Sequence, residues 1–244
     1  MYVAMGNGSM YYNTAYGSGS WTSMGGSLVA RCIDCSDDGS VIVAQCGTSG
    51  LQRSSDYGAT WTKLGVADTV GTKCFVVSCD STGNKIATYC TSNTGAASGQ
   101  YGVWRSLDGG SSFTNIYQAM AIDLKGIFLL DSGNPVVATY LGASGILIYN
   151  GTSWIASIPA TTAYTGVSPI VYGFGCSRDG QTIVAGNVYT GTYSYLFYTV
   201  DGGNTWTKAS SMGTSTWQNV CVSRSGKQWF VSGGNAKTDL YVSR

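Results

Sequence analysis

Short apolar runs of strand length succeed one another along the chain, separated by polar turns that carry glycine. Residues 30–35, 41–46, 51–54 and 61–64 form one group of four, with Asp37-Asp38-Gly39 between the first two runs. The runs are too short for amphipathic helices and are bounded by turn residues, which predicts four strands, A to D. The same order returns over residues 74–116, 127–158 and 174–209, and in part at each end of the chain. Gly39, Gly83, Gly133, Gly180 and Gly226 sit in the A–B turns at spacings of 44, 50, 47 and 46 residues. Such a period predicts an all-β propeller of four-stranded antiparallel blades, since each small sheet leaves faces that only a neighbouring sheet covers.

The repeats divide one domain, 1–244, into 1–29 (partial), 30–73, 74–119, 120–171, 172–216 and 217–244 (partial). Keeping both the 2–5 and 229–231 runs out of water favours six blades, the first lacking strand A and the last strand D. Five blades result if the two ends merge. Either arrangement predicts a seam with an unpaired edge, a place for self-association.

The turn between strands C and D carries the most regular motif. Ser/Thr-x-Asp-x-Gly-x-x-Trp/Phe occurs as Ser54, Asp56, Gly58, Trp61; as Ser106, Asp108, Gly110, Phe113; and as Thr199, Asp201, Gly203, Trp206. Asn150-Gly151-Thr152-Ser153-Trp154 is a shortened version with Asn for Asp. The expected device is a tight turn: Asp accepts N–H groups two or three residues on, Gly supplies a positive φ, and the ring folds beneath as a buried plug. The motif resembles the Asp-box, or bacterial neuraminidase repeat, of sialidases, sortilin-type receptors and many non-enzymatic propellers. That resemblance implies a structural role for these residues and, in itself, no activity.

Composition narrows the partners. The formal charge is +1 with no run of like charges, so nucleic acid is not expected as a partner. No apolar stretch has the length of a membrane span, and the first residues lack the basic start and apolar core of a signal peptide, so membrane insertion is not expected. An extracellular or virion-associated setting suits the Gly/Ser/Thr/Tyr-rich, charge-poor composition. The eight cysteines follow the repeat and are read as reduced, buried thiols, with Cys32–Cys46 and Cys74–Cys90 bridges as the alternative. Without His, a zinc site would need four thiolates; neither metal nor cofactor is expected.

The sialidase resemblance fails residue by residue. Glu is absent, and of six arginines only Arg31 lies outside the box ends and A–B turns, so no carboxylate-gripping triad assembles. Among twelve aspartates, Asp68 and Asp123 fall in D–A connections and are read as solvated loop residues, with an acid/base pair as the alternative. Tyr117, Tyr164, Tyr189, Tyr193 and Trp217 fall on the same loop face, a mixture suited to stacking on sugar rings. The expectation is therefore a non-catalytic module that binds a glycan or protein partner opposite the boxes. A structural part of a viral or phage particle is the second reading, and a glycoside hydrolase the third.

Overall fold

In a computed structural model of the chain, residues 2–4, 10–13, 18–24, 28–65, 72–92, 102–118, 124–139, 145–157, 170–188, 195–210, 216–234 and 240–242 are described. They form two compact units, residues 1–121 and 122–244. Every sheet is antiparallel and joins strands in chain order, and the described residues contain no α-helix.

The first unit holds three sheets. Strands β1 (Tyr2–Ala4), β2 (Met10–Tyr12) and β3 (Thr22–Met24) make a three-stranded sheet. Next come β4 (Cys32–Cys35), β5 (Ile42–Cys46), β6 (Gly50–Ser54) and β7 (Thr62–Lys63), then β8 (Thr72–Cys79), β9 (Ile86–Ser92), β10 (Gly102–Ser106) and β11 (Thr114–Tyr117). The second unit repeats the plan with β12 (Leu124–Leu129), β13 (Pro135–Thr139), β14 (Ile146–Tyr149) and β15 (Trp154–Ala156). It continues with β16 (Ile170–Cys176), β17 (Ile183–Val188), β18 (Tyr195–Thr199) and β19 (Thr207–Lys208), and ends with β20 (Thr216–Val222), β21 (Trp229–Gly234) and β22 (Leu240–Val242).

Central strands such as β5, Ile-Val-Ala-Gln-Cys, are buried along their whole length because both faces meet other sheets. Val43, Leu51 and Leu64 of one sheet pack on Val77, Cys79 and Ile86 of the next, and Val136 and Ile146 pack on Cys176, Ile183 and Ala185. Each such aliphatic side chain contributes about 1.5–3 kcal/mol on burial. Polar bonds fix the offset of neighbouring sheets: Asp34 Oδ2 accepts both the Ser78 hydroxyl and the Cys79 N–H, at 2.9 Å each. The strands β8, β12, β16 and β20 each carry a register shift near their start, as at Cys74/Val76 and Trp217/Asn219. An extra residue there increases local twist.

The A–B glycines behave as the spacing predicts, with φ of 75, 72, 85, 77 and 74° at Gly39, Gly83, Gly133, Gly180 and Gly226. A Cβ at Gly83 would stand 2.4 Å from the Val41 side chain of the preceding sheet, so conformation and close packing both require glycine.

Two expectations about side chains change. Cys90 is disulfide-bonded, so the cysteines are not uniformly reduced, and the β8–β9 register sets Cys74 opposite it. Cys32, by contrast, lies opposite Gln45 rather than Cys46, and both Cys32 and Cys46 are thiols. The box aromatics Trp61, Phe113, Trp154 and Trp206 are half-buried rather than enclosed. Each ring covers the rim of an apolar cluster or a neighbouring ring and leaves one edge to solvent.

Candidate functional site

The three box turns share one hydrogen-bond knot. Ser54 Oγ donates to Asp56 Oδ1 at 2.7 Å while accepting the Gly58 N–H at 2.8 Å. Asp56 then accepts the Thr60 N–H on Oδ1 at 2.8 Å and the Thr60 hydroxyl on Oδ2 at 2.5 Å. Ser106, Asp108, Gly110 and Ser112 repeat this arrangement, as do Thr199, Asp201, Gly203 and Thr205. The carboxylate thus reaches four residues on, not two or three. The sequence reading missed the hydroxyl partner, although a Thr or Ser immediately before each aromatic, Thr60, Ser112 and Thr205, signals it.

These bonds favour the ionised carboxylate, so all three acids are held down to about 2. The Thr60 hydroxyl is the leading cause at Asp56, the Ser112 hydroxyl at Asp108, and the Thr199 hydroxyl at Asp201. An acid with both oxygens bonded within its own turn, and held ionised by those bonds, is a poor proton shuttle. Backbone bonds tie each box to the A–B turn of its own sheet: Tyr57 N–H to Ser40 O, Gly109 N–H to Asn84 O and Gly202 N–H to Gln181 O. Boxes and A–B turns therefore share one end of the sheets.

The remaining described aspartates also serve structure. Asp38 and Asp179 accept Ser36 and Ser177 hydroxyls within A–B turns, and both are lowered, first by those hydroxyls. Asp80 accepts the Lys85 N–H, and the Asp37 and Asp131 N–H groups donate to neighbouring A–B turns. Asp68, Asp123 and Asp239 lie outside the described residues.

Of the aromatic residues expected to meet a sugar, Tyr164, Tyr189 and Tyr193 also lie outside them. Tyr117 ends β11, an outer strand of its sheet, and is half-buried. Trp217 is a correction: it is 0% exposed, packed with Val184, Leu196, Val222 and Val231, and cannot stack on a ligand. Gly186 makes room for it, since a Cβ there would lie 2.4 Å from the Trp217 carbonyl oxygen.

No protein-family model matches the chain. A xyloglucanase from Paenibacillus sp is 28% identical over 216 residues, covering 76% of this chain and 20% of the xyloglucanase. The GH74 enzyme from Niastella koreensis superposes with a TM-score of 0.70 at 18% identity, over 96% of this chain and 40% of that one. The GH74 xyloglucanase from Xanthomonas campestris gives 0.69 at 17% identity, over 98% and 41%. The chain thus spans about a fifth of the length of the curated relative and two fifths of the solved enzymes. The fold is an all-β propeller.

The expectation of a non-catalytic module, and with it the answer that the chain is no enzyme, is corrected by these relatives. That expectation excluded sialidase chemistry through missing Glu and Arg and ranked a glycoside hydrolase third, with Asp68 and Asp123 read as solvated loop residues. A glycoside hydrolase needs only two suitably placed carboxylates.

Proposed function

We propose that the chain is the propeller part of a glycoside hydrolase related to the xyloglucanases and acts on xyloglucan. The observation that carries this reading is the 28% identity over 216 residues with the Paenibacillus xyloglucanase. In glycoside hydrolysis one carboxylic acid protonates the leaving oxygen while a second carboxylate activates water or attacks the anomeric carbon. Asp supplies every carboxylate side chain here, and nine of twelve belong to turns or to contacts between sheets. Elimination leaves Asp68, Asp123 and Asp239, and we assign the acid/base work to Asp68 and Asp123, both in D–A connections. Tyr164, Tyr189 and Tyr193, on the same set of loops, are assigned to sugar stacking. We also read the three C–D turns as Asp boxes, a reading supported by their common hydroxyl–carboxylate knot.

Release of reducing ends from xyloglucan tests the assignment. Wild-type protein is expected to generate them, and Asp68→Asn and Asp123→Asn each to slow release by about 10²–10⁴-fold, as loss of a general acid or base does. Absence of product from the wild type, or full rates in both variants, overturns it.

A further inference from the structure

A cleft of about 380 Å³ opens in the first unit between the β6–β7 edge of one sheet and the box turn of the next. Arg53 and Lys63 line it together with Ser55, Thr62, Gly109 and Gly110, and no carboxylate is among its lining residues. Arg53 enters from β6 and Lys63 from β7, where the register pairs Arg53 with Thr62 and Gln52 with Lys63. In that register Arg53 and Thr62 share one face of the sheet, and Lys63 pairs with Gln52 on the other. Gly109 borders the guanidinium closely, since a Cβ at that position would lie 4.0 Å from Arg53 Cζ and Nη2.

Arg53 Nε is buried and has no hydrogen-bond partner. A buried donor left unsatisfied costs about 1–3 kcal/mol, and native structures seldom keep one without a use. The acids of the two adjoining turns do not supply the partner. Asp56 spends its oxygens on Ser54 and Thr60, and Asp108 on Ser106 and Ser112. The Gly109 and Gly110 N–H groups are likewise taken, by Asn84 O and Ser106 Oγ. The cleft thus offers a planar, permanently charged fork, with hydroxyls of Ser55 and Thr62 on a mainly polar wall that Leu64 completes.

We propose that this cleft binds the carboxylate of an acidic sugar, with Arg53 gripping the carboxylate oxygens and Ser55 and Thr62 facing ring hydroxyls. A guanidinium fork matches a carboxylate in two parallel bonds, which an ammonium alone does not. The volume suits a single sugar-sized group, and the polar wall suits one rich in hydroxyls. The site is formed by the box-turn end of the sheets and does not depend on whether the chain cleaves xyloglucan.

Isothermal titration of the full chain at low salt with D-glucuronate, D-glucose and sodium sulfate tests this. Glucuronate is expected to bind saturably and glucose not to bind, with sulfate competing for the same site. Arg53→Gln should weaken glucuronate by at least about tenfold and Arg53→Lys by about threefold, since an ammonium keeps the charge and loses the bidentate fork. Arg53→Lys keeps a long cationic side chain in place, so it keeps the test alive if Arg53→Gln does not fold. Equal signals for glucose and glucuronate, or wild-type affinity in both variants, overturn the proposal. Sulfate binding without glucuronate binding assigns the cleft to inorganic oxyanions and overturns the sugar-acid assignment.

Discussion

The turn at residues 54–61 and the turn at residues 150–154 solve one problem with different chemistry. The first closes on a charged side chain whose two oxygens are divided between Ser54 and Thr60. The second closes on a single neutral oxygen: Asn150 Oδ1 accepts the Thr152 N–H at 3.0 Å, the Ser153 N–H at 2.8 Å and the Thr152 hydroxyl at 3.0 Å. Ser54, fully buried in the first turn, is replaced in the second by Tyr149, whose hydroxyl donates to Gly151 O at 2.8 Å and whose ring lies 5.1 Å from Trp154. The comparison teaches that the strand-to-strand connection requires an oriented acceptor and a residue at positive φ. The negative charge and the buried hydroxyl are separable additions.

The largest expected effect separates the aromatic plugs. Trp206 packs on the cluster around Ile183 and donates its Nε1–H to Ser157 Oγ of the preceding sheet at 3.1 Å, so it ties two sheets together. Trp206→Ala is expected to cost about 3 kcal/mol in urea unfolding, at the lower end for a large-to-small change because the ring is half-buried. Trp154, packed mainly on Tyr149 of its own sheet, should cost clearly less. Equal losses would show that the intact box and the shortened one brace the fold alike.

Next in size is the hydroxyl at the head of the motif. Ser54→Ala removes the acceptor of the Gly58 and Asp56 N–H groups and a donor to Asp56 at a buried position, and should cost about 1–3 kcal/mol. Asn150→Ala removes an exposed acceptor whose donors reach water, so its melting temperature should fall by less. If the two variants melt together, the buried hydroxyl adds nothing to the acceptor.

How far the sequence disclosed this follows from the range of the interactions. Strands, turns and the positive-φ glycines are set within a few residues, and the 46–50-residue spacing of Gly83, Gly133, Gly180 and Gly226 made them legible. The Thr60 hydroxyl was equally local but was overlooked because the carboxylate was assigned backbone partners alone. Trp217 misled for a different reason. Counting strands places it near a loop, but only the backbone approach allowed at Gly186 shows that the ring turns into the sheet interface. The same limit hides the orphan Nε of Arg53, beside a cleft whose far wall includes Gly109, 56 positions later in the chain. Function was misread because nothing local to Asp68 and Asp123 separates an acid/base pair from solvated loop residues, and a fold sets no particular chemistry.

The smallest expected effect isolates charge from acceptor. Replacing Asp56, Asp108 and Asp201 with Asn gives each intact box the neutral acceptor found at Asn150 while keeping its turn. The three carboxylates are lowered to about 2 in the folded chain, against about 3.9 for an unfolded Asp. A depressed folded value stabilises fully above the unfolded value and is lost as pH falls through the folded one. The difference in melting temperature between wild type and the triple variant should therefore be constant from pH 7 down to about 4. It should shrink between about 4 and 2 and vanish below that. The groups are exposed, so the gap itself will be modest, and added salt should narrow it. A gap independent of pH from 7 to 2 would mean that the carboxylate acts only through its shape. The charged and neutral turns would then be the same device, and the Asp would owe its place in three boxes to geometry alone.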